Sequence, residues 1–347
     1  MGRDKPSPRF SVIVPSYNRI DELAELMDSF IALINHYPQH PPFELLVVDD
    51  GSTDGTVKLL ESIQTPFQLS VISQANLGPG AARNRGMAEA QGEYFLFLDS
   101  DCTVPPEYLA EVDRALTEHQ WDAFGGPDTY REDFSPLLKA INYSMTSFIG
   151  TGGTRGSKES VTKFYPRSFN MGISRKVFET IGGMGGLRHG QDMDYSARIY
   201  KAGFKVGLIE KAYVYHKRRT SLWKFFKQIF NWGVARINLS RLHPELLKPI
   251  HLAPALIVIA TLGMIVVSAS FGWLFEAIAL LGLGYFVLAT IVTIQSFSWY
   301  KSISTSLLSI VTITIQILAY GLGLLYALIQ MAIGKREAKG FVKHYYK

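Results

Sequence analysis

Cysteine is nearly absent: Cys102 is the one thiol in 347 residues, so no internal disulfide can form. That accords with a reducing compartment. Charge is missing over a long stretch. Between Leu252 and Gly334 the only charged side chains are Glu276 and Lys301, which excludes an ordinary solvated surface there. Acid is scarce just before it, where residues 217–248 carry eight Lys/Arg against the single Glu245. Internal repeats and low-complexity segments are absent from the half that precedes the apolar region. No signal peptide is expected, since Met1 to Arg9 is polar and the apolar run Phe10–Val14 is too short. The large hydrophilic part is therefore expected to remain in the cytosol.

What is there divides the chain. Leu252–Phe275, Ala277–Tyr300 and Ser302–Gly334 each exceed the roughly 20 residues that cross a bilayer. Breaks at Ser268–Gly272 and Gln295–Ser298 read as turns. The expectation is about three transmembrane helices within 251–334, near 252–269, 272–294 and 305–333. Buried helices of a soluble domain are the alternative, but three nearly charge-free blocks in succession speak against it. Residues 1–216 carry 21 Lys+Arg against 27 Asp+Glu. The basic segment 217–250 thus forms a collar beside the apolar region, suited to an anionic cytoplasmic leaflet. It does not suggest nucleic acid, because the front domain is acidic. Within the collar Leu222, Phe226, Ile229, Phe230 and Gly233 fall at helical spacing among basic residues. That pattern predicts an amphipathic helix in the membrane interface or packed on the front domain. The tail 335–347 is basic too, and three crossings would place it opposite the collar. Either the positive-inside tendency fails here, or one block is re-entrant or crosses twice.

The front part alternates. Strands are expected at Phe10–Val14 (stopped by Pro15), Phe43–Val48, Gln68–Ile72 and Tyr94–Leu98. Helices are expected at 21–36, 56–63 and 80–90. Alternation implies an α/β fold with a mostly parallel sheet flanked by helices. Ligands of such sheets bind outside the carboxyl ends of the strands. Three clusters fall at that rim: Pro15-Ser16-Tyr17-Asn18, Asp49-Asp50-Gly51-Ser52 and Asp99-Ser100-Asp101. A strand followed by Asp-x-Asp suits a divalent cation such as Mg²⁺ or Mn²⁺, which takes hard oxygens and substrate phosphates. A solvated turn capping the next helix is the plainer role. Asp49 and Asp50 can cap a helix or accept from a uracil or ribose, with Tyr17 stacking on the base.

The segments SVIVPSYNR, ELLVVDDGSTDGT, NLGPGAARNRG and FLFLDSD, in this order and spacing, resemble a family 2 glycosyltransferase with a GT-A fold, over roughly residues 10–240. The resemblance implies an inverting, metal-assisted transfer from a nucleotide sugar. It assigns Pro15, Tyr17, Asn18, Asp50 or Asp49, and Arg83 to nucleotide-sugar binding. Asp99 serves ribose and metal, Asp101 the metal, and the late His216 completes the metal shell or simply caps a strand. In GQDMDYSARIYKAGFKV the family's base corresponds to Asp192. Gln191 stands where the family usually has glutamate, and Asp194 takes a supporting role. Asn170, Met171 and Gly172 are expected on the acceptor side, with Arg167 or Arg175 meeting phosphate. Gln228-Ile-Phe-Asn231-Trp232 is similar to the Gln-x-x-Arg-Trp motif of processive synthases, with Asn in place of Arg. Losing that guanidinium fork points to a non-processive relative.

The resulting expectation is an integral membrane enzyme with a cytosolic catalytic domain, most naturally at a bacterial inner membrane. It moves a sugar, UDP-linked by preference, to a lipid-linked saccharide. Other readings are a catalytically silent sugar-nucleotide-binding subunit, a processive polysaccharide synthase, and a polyprenyl-phosphate sugar transferase.

Overall fold

The computed structural model describes residues 7–152, 163–217 and 219–341. Strand β1 (Phe10–Ser16) leads to helix α1 (Ile20–His36), then β2 (Phe43–Asp49), α2 (Thr56–Ser62), β3 (Gln68–Ser73), α3 (Pro79–Glu89) and β4 (Tyr94–Leu98). Every residue of β1 and β2 is buried, as expected of strands covered on both faces. Pro15 was expected to end β1, yet the strand runs on to Ser16. The reason lies in the pairing: β1 pairs with β4 only from Phe10 to Ile13, while its β2 edge pairs through Ser16. Pro15 thus sits where one edge has no partner, and a missing N–H is tolerated.

Next come β5 (Cys102–Thr103), α4 (Tyr108–His119), β6 (Ala123–Gly125), β7 (Asp128–Thr129), α5 (Pro136–Thr146) and α6 (Phe148–Thr151). After them follow β8 (Asn170–Ser174), α7 (Arg175–Ile181), α8 (Gln191–Lys201), β9 (Val206–Leu208) and β10 (Val214–His216). The main sheet has the order β3-β2-β1-β4-β8-β6-β9. Its first four strands are parallel, and β8 runs antiparallel between β4 and β6. One face is covered by α1 and α4, through Leu23, Phe30, Val112 and Leu116. The other is covered by α3, α7 and α8, through Met87, Val177, Tyr195 and Ile199. Each of these side chains contributes about 1.5–3 kcal/mol by leaving water. A small second sheet, β5-β10-β7, pairs His216 with Cys102 and Val214 with Asp128.

The chain then enters α9 (Leu222–Leu242), turns through Pro244–Leu246 and Pro249–Leu252, and forms α10 (Ala253–Phe271), α11 (Leu274–Tyr300) and α12 (Ile303–Ala332). The last three are long and apolar enough to cross a membrane. The expected turn at Gln295–Ser298 is helical instead. Its polar groups are satisfied sideways: Gln295 Oε1 accepts from Tyr143 at 2.6 Å, and Ser296 meets Ser309 at 2.8 Å. The turn comes later, at Lys301, whose φ is 50°.

The three helices differ in company. In α10 and α11 only 11% of the most apolar window is buried, against 44% in α12. Helix α12 crosses α9 in backbone contact. A Cβ on Gly323 would collide with the carbonyl of Phe230, and one on Gly233 with that of Tyr320. Small residues permit such an approach. The segment after α12 folds back onto α9: Asn238 Nδ2 donates to Ala338 O at 2.9 Å, and Phe341 N–H donates to Asn231 Oδ1 at 2.8 Å.

Candidate active site

The carboxyl ends of β2, β1 and β4 lie side by side, so the three sequence clusters share one rim. Asn18 adopts φ 51°, in the left-handed region that asparagine tolerates better than most residues. Its N–H donates to Ser52 Oγ and its Oδ1 accepts from Thr53 N–H, both at 2.8 Å, tying the β1 loop to the β2 loop. Asp50 accepts from Gln74 Nε2 (2.7 Å), Leu77 N–H (2.9 Å) and Gly78 N–H (2.8 Å). Its carboxylate is spent on shaping the loop into α3. Asp49 accepts from Ser52 N–H at 3.1 Å. Its buried Oδ1 has no hydrogen-bond partner among the described residues, and neither have Ser16 Oγ nor the Asn76 amide. Asp49, paired with Ser16 across β1 and β2, is therefore the carboxylate with an oxygen to offer.

Arg83, buried on α3, holds Asp99 by a guanidinium–carboxylate contact from Nη2 to Oδ1. Asp101 turns the other way. Its Oδ1 lies 3.3 Å from His216 Nε2, and His216 Nδ1 lies 3.3 Å from Asp128 Oδ2. Burial alone would raise the Asp101 carboxyl, but His216, Arg219 and Arg19 outweigh it and hold the group well below the usual carboxylate range. Asp101, Cys102 and His216 each bring a ligand atom within 4.8 Å of the others. The buried Asp101 Oδ1 has His216 Nε2 beside it but no other polar partner among the described residues. An oxygen and an imidazole nitrogen suit Mn²⁺ well. Cys102, fully buried, directs its soft sulfur to Phe169 O at 3.8 Å.

Beneath α9 lies a cavity of about 210 Å³ that opens to solvent. Asp99 and His216 stand on one wall, Asp192 and Arg167 on another. Gln228, Trp232 and Arg236 of α9, with Tyr320 of α12, form its roof. Asp192 sits in the first turn of α8, after Gly190 with φ 83°, where the helix dipole favours a carboxylate. Its Oδ1 accepts from Met193 N–H at 2.9 Å, and its Oδ2 is 3.8 Å from Arg167 Nη1. Burial lowers the Arg167 pKa while Asp192 opposes the shift. The guanidinium stays charged at any physiological pH.

Residues 11–182 match Glycosyl transferase family 2, and residues 146–324 match Glycosyl transferase family 21. This chain belongs to glycosyltransferase family 2. Among its relatives is the poly(ribitol-phosphate) beta-N-acetylglucosaminyltransferase TarS of Staphylococcus aureus, 37% identical over 39% of this chain and 25% of its own length. Another is the undecaprenyl-phosphate 4-deoxy-4-formamido-L-arabinose transferase of Proteus mirabilis, 30% identical over 46% of this chain and 49% of its own. The chain thus spans between a quarter and half of these relatives. The mannosyltransferase PcManGT of Pyrobaculum calidifontis, solved with GDP-Man and Mn²⁺, superposes with a TM-score of 0.61 at 20% identity, covering 89% of this chain and 90% of its own. That likeness establishes the GT-A fold and its continuation into long apolar helices.

Against the family expectations, Asp99, Asp192 and His216 meet in one cavity, with Arg83 behind Asp99 and Asp101 beside His216. Pro15, Tyr17, Asn18, Asp49 and Asp50 occupy the adjoining rim and do not line the cavity. Several expectations need correction. Asn170, Met171 and Gly172 lie inside the sheet, on β8, and do not face the acceptor space. Asn170 accepts from Tyr108 O–H at 2.8 Å and donates to Ala212 O at 2.7 Å; a Cβ on Gly172 would strike the Phe124 ring. Asp194 points away from the cavity, to His243 Nε2 at 2.8 Å and Arg198 Nε at 3.1 Å, and so anchors α8 to the end of α9. Gln191 lies over the first turn of α3, against Gly80, outside the cavity. Arg175 donates to the carbonyls of Ala90 and Gly92 and meets no site.

A cation absent at Asn231 is present five residues on, at Arg236. Arg236 shares the cavity-facing side of α9 with Gln228 and Trp232, while Asn231 holds the tail. Asp128 and Tyr320 gave no sequence signal of their own. Asp128 directly follows the Gly125-Gly126-Pro127 turn, which the family resemblance marks, and Tyr320 sits inside an apolar run.

Proposed function

We propose that this chain is a membrane-bound inverting glycosyltransferase that moves a sugar from a nucleotide sugar to a hydroxyl of a lipid-linked saccharide. The observation that carries the reading is the single cavity with Asp99 and His216 on one wall and Asp192 on another, roofed by α9 and α12. The nucleoside lies along the β1–β2 rim, where Asp49, Ser16 and Asn76 offer unused polar atoms. Uracil, with an N3–H to donate, suits that carboxylate. Asp101 and His216, with Asp99 adjoining, hold a divalent cation. A cation held by these residues would supply Lewis-acid neutralisation of the diphosphate charge. The Mn²⁺ and GDP-Man bound by PcManGT accord with this assignment.

Asp192 accepts the proton of the acceptor hydroxyl. The hydroxyl oxygen bonds to the anomeric carbon from the face opposite the leaving group, the bond from that carbon to the diphosphate oxygen breaks, and the nucleoside diphosphate leaves. Asp192 then releases its proton to water. Arg167 Nη1, 3.8 Å from Asp192 Oδ2, faces that carboxylate from the same cavity.

The membrane portion follows from burial. Helices α10 and α11 expose apolar residues all round and cross as a hairpin. Helix α12 exposes Ile303, Leu307, Val311, Leu318, Leu322, Leu328 and Ile329 and packs its other side on α5, α9, α10 and α11. With α5 and α9 of the front part covering it, we read it as lying at the membrane surface. Catalytic domain, collar and tail then share one side, the cytosolic one, which removes the conflict with the positive-inside tendency.

The test is product stereochemistry. Purified full-length protein given a UDP-sugar panel, Mn²⁺ and a lipid-linked disaccharide should give a product whose anomeric proton coupling shows inversion. Retention, or no transfer from any donor in the UDP, GDP and dTDP series, would remove the proposal.

A further inference from the structure

We propose that a second, basic cleft binds the phosphate or diphosphate ester that joins the acceptor saccharide to its lipid. This rests on the reading of the cavity as the transfer site. The cleft is narrow, opens to solvent and is walled by Lys163, Arg167, Arg236, Lys248 and His251. It adjoins the catalytic cavity, with Arg167, Met193 and Arg236 lining both spaces.

The cations there are poorly matched by acids. Arg167 has Asp192 at 3.8 Å, on the cavity side. Arg236 is held by neutral groups, the Tyr320 hydroxyl at 3.2 Å and Leu246 O at 3.1 Å. Lys248 makes no ion pair among the described residues, and Lys163 lies over the Tyr200 ring at 3.6 Å. Burial, then the charge of Arg236, act against the charged form of Arg167, with Asp192, Tyr320 and Asp128 opposing them; a bound anion would offset the remaining cost. His251 Nδ1 accepts from Lys248 N–H at 3.0 Å. The neutral ring therefore carries its proton on Nε2, a further donor.

Position selects the kind of anion. Acids gather instead around His216, at Asp101 and Asp128, with Asp99 lining the cavity, where a phosphate needs a metal. The basic cleft needs none. His251 belongs to the Pro249–Leu252 turn that runs directly into α10. A lipid can leave its chain beside that helix, place its phosphate in the cleft and extend its sugar toward Asp192.

The experiment uses full-length protein in phosphatidylcholine nanodiscs and measures binding of farnesyl diphosphate by competition. Lys248→Gln and Lys163→Gln should each weaken it about tenfold, and Lys248→Arg should restore it. Equal affinity in all forms overturns the proposal. Inorganic pyrophosphate binding as tightly as farnesyl diphosphate would reassign the cleft to a soluble phosphate. Full competition by added phosphatidylglycerol would reassign it to bulk headgroups. Either result overturns the acceptor assignment. UDP-sugar binding with Mn²⁺ is measured in the same unsubstituted sample. Its loss, with farnesyl diphosphate still bound, removes the transfer reading alone. The reverse removes the cleft alone.

Discussion

Replacing Gly323 by alanine tests whether membrane helices set the geometry of the active site. The added Cβ would lie 2.9 Å from the carbonyl carbon and 3.1 Å from the Cα of Phe230, nearer still to its oxygen, where ordinary contact begins at 3.4 Å. Both partners are backbone, so no side chain can rotate away, and α9 must move by roughly 0.5–1 Å relative to α12. Overpacking of this kind costs about 1–3 kcal/mol. The same α9 carries Trp232 and Arg236 into the cavity roof, and a displacement near 1 Å at a site can cost about 10²-fold in rate. Steady-state transfer assays should show kcat reduced by about 10- to 100-fold, with nucleotide affinity held, because the β1–β2 rim does not touch α9. Gly263→Ala on α10, where nothing lies within 4 Å of the new Cβ, serves as the control. Full activity and unchanged thermal stability in Gly323→Ala would refute the reasoning.

Asp101 links pH to stability. Its carboxyl titrates below the ordinary range when folded, so in metal-free buffer its contribution is complete above about pH 4 and fades as pH falls toward the folded value. Asp101→Asn should flatten that acid limb in thermal unfolding and abolish stabilisation by Mn²⁺; an unchanged Mn²⁺ response would exclude Asp101 as a ligand. Membrane topology is checked by cysteine labelling in sealed vesicles. Glu337→Cys should react from the same side as Lys58→Cys, and Trp273→Cys, at the α10–α11 turn, from the other. Labelling of Glu337→Cys together with Trp273→Cys would instead require α12 to cross.

The parallel half of the fold was legible because local chemistry marks it. Buried apolar runs end in Gly, Asp and Pro, and α1 shows Leu23, Leu26, Met27, Phe30 and Leu33 on one face. Asn170–Gly172 misled because β8 enters the sheet antiparallel between β4 and β6, strands far from it in sequence. A motif beside a site and a strand inside a sheet look alike in one dimension. Asp50 and Asp49 were likewise inseparable, since only the folded loop 74–78 shows which carboxylate is already satisfied. The α9–α12 crossing rests on Gly233 and Gly323, and in an apolar stretch a glycine at a crossing reads the same as one facing lipid.

The most direct measurement is single-turnover transfer by Asp192→Asn. The amide keeps the shape of the carboxylate and its hydrogen bond from Met193 N–H, but cannot take a proton. Loss of a positioned base should lower the rate by about 10²–10⁴-fold while nucleotide-sugar affinity stays within about twofold of the parent. Transfer at the parent rate would contradict the assignment of Asp192 as the base.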